Sequence, residues 1–415
     1  MTRHGIALVA LALAIASTRG GAQEITRLAG SGPSDLWGVT EGSSLLHLDG
    51  RSGRMVPTNM QVVIADVWSS GPRDAWAVGE QGTILRWDGA AWRPMASPVR
   101  KNLVRVSGCS AALVYVVAQS ESDTDPAILL RWDGRTWTQT PINPPFRVSD
   151  LYLVCVAGAG GGEVAVSGFA HFDPVNTESH SAGVIARLRG GSWTTIGFDG
   201  QRATVPALFD LSVERYCAGA GATYAAIRRL DGSPALLRQS GATWSVLPSP
   251  DLPPGSDIVD ATWVLARDCT PVVVFNQGIA RFAAGQWQVV APGVAAGAAL
   301  SAQQQQFQQQ VQGMNIQPGQ MPTPEQMRQI QEMMMAQQAQ QAQTDQTMQA
   351  MVEGQVWNFG PGPAVWAPRG ADFFVATRGG RVAHVTGDSA VTVFDTICLQ
   401  PSAADLPQCQ PPPPR

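Results

Sequence analysis

The run Ala65-Asp66-Val67-Trp68-Ser69-Ser70-Gly71-Pro72-Arg73-Asp74-Ala75-Trp76-Ala77-Val78-Gly79, continued by Gly82-Thr83-Ile84-Leu85-Arg86-Trp87-Asp88-Gly89-Ala90-Ala91-Trp92, decides the fold. It consists of short apolar runs separated by Gly-Pro, Gly and Asp-Gly turns, and it has copies on both sides. Upstream, Gly32-Pro33-Ser34-Asp35-Leu36-Trp37-Gly38-Val39 leads into Leu45-Leu46-His47-Leu48-Asp49-Gly50. Downstream, Val114-Tyr115-Val116-Val117 leads into Ile128-Leu129-Leu130-Arg131-Trp132-Asp133-Gly134-Arg135-Thr136-Trp137. Asp35, Asp74 and Leu113 hold the same place in the three copies and lie 39 residues apart. Four weaker copies keep the order of elements and end near Trp193, Trp244, Trp287 and Val385, which makes seven units.

Each unit reads as four short strands, A to D. Asp-Gly between the third and fourth is a strong hairpin signal, expected as a type I′ turn with positive φ at both central positions. Runs that are apolar on both faces fit sheets packed between neighbours. Four-stranded units of about 40 residues, repeated seven times, specify an all-β fold, a seven-bladed β-propeller of four-stranded blades. A solenoid fits less well, because strand-rich coils run to about 20 to 30 residues.

Over residues 24–295 and 356–396 the pattern resembles secreted bacterial propellers with repeats of the form VWGSGPxDxWAVGxxGTILRWDGxxW. It is more distantly similar to the Asp-box propellers of the sialidase type. Trp87-Asp88-Gly89-Ala90-Ala91-Trp92 departs from the Asp-box, lacking both the Ser or Thr before the Asp and the spacer between Asp and Gly. The resemblance therefore implies the fold rather than an activity.

Residues 1–22 read as a Sec-type signal peptide: Arg3, an apolar run from Ile6 to Ala16, then Gly20-Gly21-Ala22 before Gln23. No Cys follows the signal, the first being Cys109, so a lipoprotein is not expected. The expected location is secreted or periplasmic, without membrane insertion. The net charge of −4 and the absence of a basic run argue against a nucleic-acid partner. Expected domain limits are 23–296 for blades one to six, 297–354 for an insertion, 355–396 for blade seven and 397–415 for a Pro-rich tail.

The insertion is a different material. Residues 301–350 hold 20 Gln, and eight of the 12 Met fall between Met314 and Met351. Thr323-Pro324-Glu325-Gln326 forms a capping box ahead of a helix expected over about 324–352. Six Cys in an exported chain favour disulfides. Pairing Cys between neighbouring units joins Cys109 to Cys155 and Cys217 to Cys269, with Cys398 to Cys409 in the tail, one of 15 connectivities.

Propeller geometry places the B–C and D–A connections on one face. Units three and four lengthen their B–C loops, at 120–126 and from Phe169 to His180, and the 297–354 insertion is a D–A connection. All three decorate one face, which is therefore the expected site of contact with a protein or surface glycan. Ligand-binding candidates in the loops are Asp123, Asp125, His171, Asp173 and His180. Asp123, Asp125, Asp173 and Glu178 could also supply a glycosidase's carboxylate pair. No metal-ligand spacing or P-loop context occurs, so no cofactor or metal is expected. Arg86, Arg131, Arg187, Arg238 and Arg281 recur at one repeat position, which marks them as blade architecture. The sequence thus reads as a binding or scaffolding module rather than an enzyme. The alternatives are a sialidase-like hydrolase or lyase, distinguished by convergence of acidic and Arg side chains on the central channel, and an assembly factor for an exported complex, similar to the propellers that help photosystems assemble.

Overall fold

The computed structural model describes residues 24–40, 43–50, 52–120, 125, 127–142, 152–155, 163–172, 180–197, 204–218, 222–229, 232–252, 262–266, 268–275, 278–290, 364–369, 372–376, 380–386 and 389–399. The expected signal peptide, the 297–354 insertion with its helix, and most of the tail lie outside them. Among the described residues no helix is long and apolar enough to cross a membrane.

Among the described residues, 28 strands form seven antiparallel four-stranded sheets, and every sheet uses four strands consecutive in the chain. Blade one comprises β1 (Ile25–Gly32), β2 (Asp35–Thr40), β3 (Ser44–Leu48) and β4 (Gly53–Pro57). The first strands of the other blades are β5 (Ile64–Gly71), β9 (Leu103–Ser110), β13 (Tyr152–Cys155), β17 (Leu211–Ala218), β21 (Thr262–Leu265) and β25 (Ala364–Arg369). Consecutive first strands touch all the way round, β25 against β1 included, so they enclose the axis.

The core is distributed. Seven separate apolar clusters fill the seven gaps between neighbouring blades. The last joins Leu36 and Leu46 of blade one to Phe374 and Val382 of blade seven, and closes the ring. Among the described residues no strand is shared between the first and last blades, and side-chain packing joins them. Phe394 lies against Gly53, where any side chain would collide with its ring, and Leu399 of the 3-10 turn Thr396–Leu399 adds to the same cluster.

The recurrent Trp residues lock these gaps. Trp37, on the second strand of blade one, meets Trp87 and Trp92 of blade two at ring distances of 5.1 and 4.9 Å. Trp76 meets Trp132 and Trp137 of blade three in the same way, at 5.5 and 5.6 Å. The two Trp of each Trp-Asp-Gly-x-x-Trp hairpin thus grip the Trp of the preceding blade, and offset and edge-on pairs add to the burial of large apolar rings.

The turn inside that motif differs from the type I′ expectation. Trp87 pairs with Trp92, so the connection spans four residues. Only Gly89 takes a positive φ, +96°, while Asp88 does not. The longer connection needs a single left-handed residue. The Asp88 carboxylate accepts the N–H groups of Ala90 and Ala91, both at 2.8 Å. Together with Arg93 these bonds hold its carboxyl down to about 2.

Asp35 ties blade one to blade two from full burial. It accepts hydrogen bonds from Ser31 (2.6 Å), from Ser69 of blade two (2.6 Å) and from Trp37 Nε1 (3.1 Å), and lies 3.2 Å from His47 Nε2. Burial alone would raise its pKa. The hydrogen bonds from His47, Ser31 and Ser69 outweigh that and hold the carboxyl below its ordinary value of 3.8. Equivalent pairs recur at the same place in other blades: Asp74 with Arg86 (2.7 Å), Glu163 with Arg187, and Asp372 with His384 (2.7 Å). Arg86 and Arg187 are therefore blade architecture.

Two disulfides join adjacent blades, Cys109 with Cys155 across blades three and four, and Cys217 with Cys269 across blades five and six. Cys398 is also disulfide-bonded, with its partner outside the described residues.

Two substitutions test this packing. Trp76→Ala should cost about 3–5 kcal/mol in urea unfolding, because it leaves a cavity beside the Trp132 and Trp137 rings. Asp35→Asn should cost about 1–3 kcal/mol at neutral pH. With the folded pKa depressed, the wild-type advantage exists above pH 3.8 and should vanish as pH falls through the lower folded value.

Candidate functional site

The seven first strands converge on a cavity of about 370 Å³ on the propeller axis. Strand register shows which residues share one level of it. Arg27 is paired with Val39, Asp66 with Val78 and Arg105 with Val117, three equivalent positions 39 residues apart. The same position falls at Tyr152 opposite Ser167, Arg215 opposite Ala226, Thr262 opposite Val274 and Ala364 opposite Ala376. All seven line the cavity. Each blade therefore contributes one residue to a ring.

The ring is cationic on one arc and small on the other. Arg27, Arg105 and Arg215 come from blades one, three and five, with Asp66 between the first two and Tyr152 between the last two. Blades six and seven supply only Thr262 and Ala364. The guanidinium carbons of Arg105 and Arg215 lie 5.4 and 4.1 Å from the Tyr152 ring centroid. Cation–π contacts of this kind hold both the ring and the cations in place.

All three Arg adopt one posture. Arg27 Nη1 donates to the carbonyl of Thr26 at 3.2 Å, Arg105 Nη1 to Val104 at 2.7 Å and Arg215 Nη1 to Glu214 at 3.2 Å. Among the described residues none of the three has a carboxylate within ion-pair distance. Asp66 instead accepts the Val106 N–H at 3.0 Å. Glu214 is engaged by Arg228, with Nε 2.6 Å from Oε1 and Nη2 3.4 Å from Oε2. Burial pushes the Asp66 carboxyl up, against the opposing pull of Arg105 and Arg27. It pushes Arg105 and Arg215 down, which for arginine leaves the charge intact at neutral pH.

The ring lies toward one face. Arg27, Asp66 and Arg105 are each the third residue of an eight-residue first strand, and β5 and β9 start from a D–A connection, so these residues sit nearer the face carrying the D–A and B–C connections. Cys109 and Cys217 lie next to last in their strands, and Cys155 lies last in its own, so both disulfides are at the opposite face.

The loop candidates are placed differently. Asp125 pairs with Lys101, and its backbone carbonyl accepts the Ser120 hydroxyl, which anchors that loop. Asp123, Asp173 and Glu178 fall outside the described residues. His171 and His180 do not belong to a free loop as expected. They lie in strands β14 (Val164–Phe172) and β15 (His180–Arg189), which continue past the ordinary blade length because pairing satisfies their backbone groups. His180 opposes Phe172 and His171 opposes Ser181, so they are not a cross-strand pair.

Sequence reading passed over the ring. Its signal was the 39-residue spacing of Arg27, Asp66 and Arg105, which the register turns into a common position.

No protein-family model matches the chain, and no curated protein matches it. Among solved structures, YCF48 bound to D1 peptide aligns at 12% identity and a TM-score of 0.43, covering 65% of this chain and 81% of that one. YCF48 from Cyanidioschyzon merolae aligns at 14% identity and 0.41, covering 65% and 86%. The SapL1 lectin in complex with alpha methyl fucoside aligns at 16% identity and 0.40, covering 65% and 95%. The fold itself rests on the strand pairing.

Because burial raises the Asp66 pKa, the ionised carboxylate costs stability above that pKa and costs none once protonated. Asp66→Asn should therefore raise the melting temperature at pH 7, and the gain should shrink toward pH 4. Thermal unfolding monitored across this range checks it.

Proposed function

We propose that the chain is an exported, non-catalytic β-propeller that binds an acidic protein or surface-glycan partner on the face bearing its D–A and B–C connections. The observation that carries this reading is the set of three guanidiniums on the axis, near that face, without ion-pair partners among the described residues. Half-buried guanidiniums without a direct ion pair are costly in a structure whose other arginines are so often paired. A partner carrying negative charge would complete them. Residues 1–22 would act as the export signal, and the Gln- and Met-rich 297–354 segment, between the blades that supply Thr262 and Ala364, would extend the contact surface. The B–C loops of blades three and four would border it.

A second reading has its own observation. Three Arg, Tyr152 and Asp66 converge on the channel, the arrangement that separates a glycan-active hydrolase or lyase from a simple scaffold. Against it, Glu214 is engaged by Arg228 and Tyr152 is packed between guanidiniums.

The test is a parallel screen of the mature chain against acidic and neutral glycan and peptide arrays, with product release followed on every ligand retained. Saturable retention of an acidic ligand class without product is the expected outcome. Product release from an acidic glycan that stops in Tyr152→Phe would establish the hydrolase reading instead.

A further inference from the structure

We infer that the ring at the propeller axis is a binding site for a doubly charged oxyanion, such as a phosphate or sulfate group, held by Arg27, Arg105 and Arg215. The inference deepens the binding-module reading and rests on it.

Charge is the first argument. The ring holds three guanidiniums and one carboxylate, a formal surplus of two positive charges, and the neighbouring Glu214 and Arg228 cancel. The chain as a whole carries −4. A positive centre inside an acidic protein is a local feature, opposite in sign to its surroundings. Two negative charges would neutralise it.

Geometry is the second. One Nη of each Arg is committed to the carbonyl of the preceding residue, and this leaves most of its five N–H donors for the channel. A guanidinium offers a flat fork matched to the oxygens of phosphate, sulfate or carboxylate, which favours an oxyanion over a halide. The shared posture, and for Arg105 and Arg215 the Tyr152 contacts, fix the Arg before any ligand arrives, so little ordering is lost on binding.

Room is the third. Thr262 and Ala364 leave one arc of the ring open, and the cavity of about 370 Å³ is at the small end for ligand sites. It admits an anionic group or one short residue carrying it, but not the body of a polymer. The anion could be free, or an ester on a larger glycan whose remainder lies on the face above.

The experiment is titration calorimetry and thermal shift on the full mature chain, with inorganic phosphate and sulfate against chloride at matched ionic strength. Saturable stabilisation by the two dianions beyond chloride is expected. Arg105→Ala and Arg215→Ala should each weaken phosphate binding by about tenfold or more, the loss expected for a charge-assisted contact. Asp66→Asn removes the opposing charge and should tighten it about threefold. A misfolded variant cannot bind more tightly, so the Asp66 variant keeps the test open if the Arg variants fail to fold. No preference for dianions over chloride, or an Asp66→Asn affinity equal to or below wild type, overturns the inference.

A phosphate- or sulfate-terminated oligosaccharide that binds more tightly than the inorganic ion assigns the site to an ester on a glycan; equal affinity assigns it to the free anion. Array ligands retained equally by wild type and Arg215→Ala, without any dianion effect, would overturn the inference and leave the binding-module reading in place. If no array ligand is retained while phosphate binds as expected, the site stands and the macromolecular reading falls.

Discussion

Everything in this molecule depends on one constraint: a four-stranded blade whose two faces are both apolar cannot exist alone. A central strand such as β2 is buried along its whole length, so its sheet needs a neighbour on each side. Seven such blades satisfy one another only by closing a ring, and the seven interblade clusters record that closure. Since the first and last blades share no strand among the described residues, side-chain packing near Gly53 and Phe394 holds their junction there. Closure has a second consequence. It brings seven strand edges to one axis, where an identical register position in each blade becomes a ring of side chains.

Polar residues divide according to where that geometry puts them. Asp74 and Arg86, on the second and third strands of blade two, and Glu163, just before β14, with Arg187 pair within a single blade and neutralise each other. Such pairs replace solvation lost on packing and add specificity of register rather than much stability. On the first strand there is no such facing partner. Arg27, Arg105 and Arg215 look across a channel; each is steadied by its own backbone, and Arg105 and Arg215 also by the Tyr152 ring. One residue type is thus architectural in one strand and available for recognition in another.

The fold was legible because the repeat is written in residues with mechanical roles. Trp37, Trp76, Trp87 and Trp132 mark the interblade locks, and Gly89 and Gly134 mark the hairpin turns. The type I′ expectation failed because a dipeptide was read without the length of its loop. The site was harder to see. Arg27, Asp66 and Arg105 differ in type, so a comparison seeking sameness discards the position, whereas a site is built where repeats depart from sameness. Beyond the third blade the spacing drifts, and only strand pairing identifies Tyr152 and Arg215 as its later members. The histidines of blade four show the converse error. Polar residues in a long connection attracted attention as a loop, but extended pairing absorbed His171 and His180 into a hairpin.

The two faces of the disc then acquire different tasks. At the end away from the Arg ring, Cys109–Cys155 cross-links the first strands of blades three and four, and Cys217–Cys269 joins the first strand of blade five to the turn after the first strand of blade six, which limits the relative movement within each pair of blades. Arg105 and Tyr152 belong to the first of those stapled pairs, and Arg215 and Thr262 to the second. Arg105 and Tyr152 are therefore carried on strands whose separation is covalently limited a few residues away. Arg27 and Ala364 sit at the junction that, among the described residues, is closed by packing without a disulfide or shared strand. The axis thus combines a rigid arc with a softer one, and a ligand entering from the D–A face meets preset cations on one side and small residues on the other.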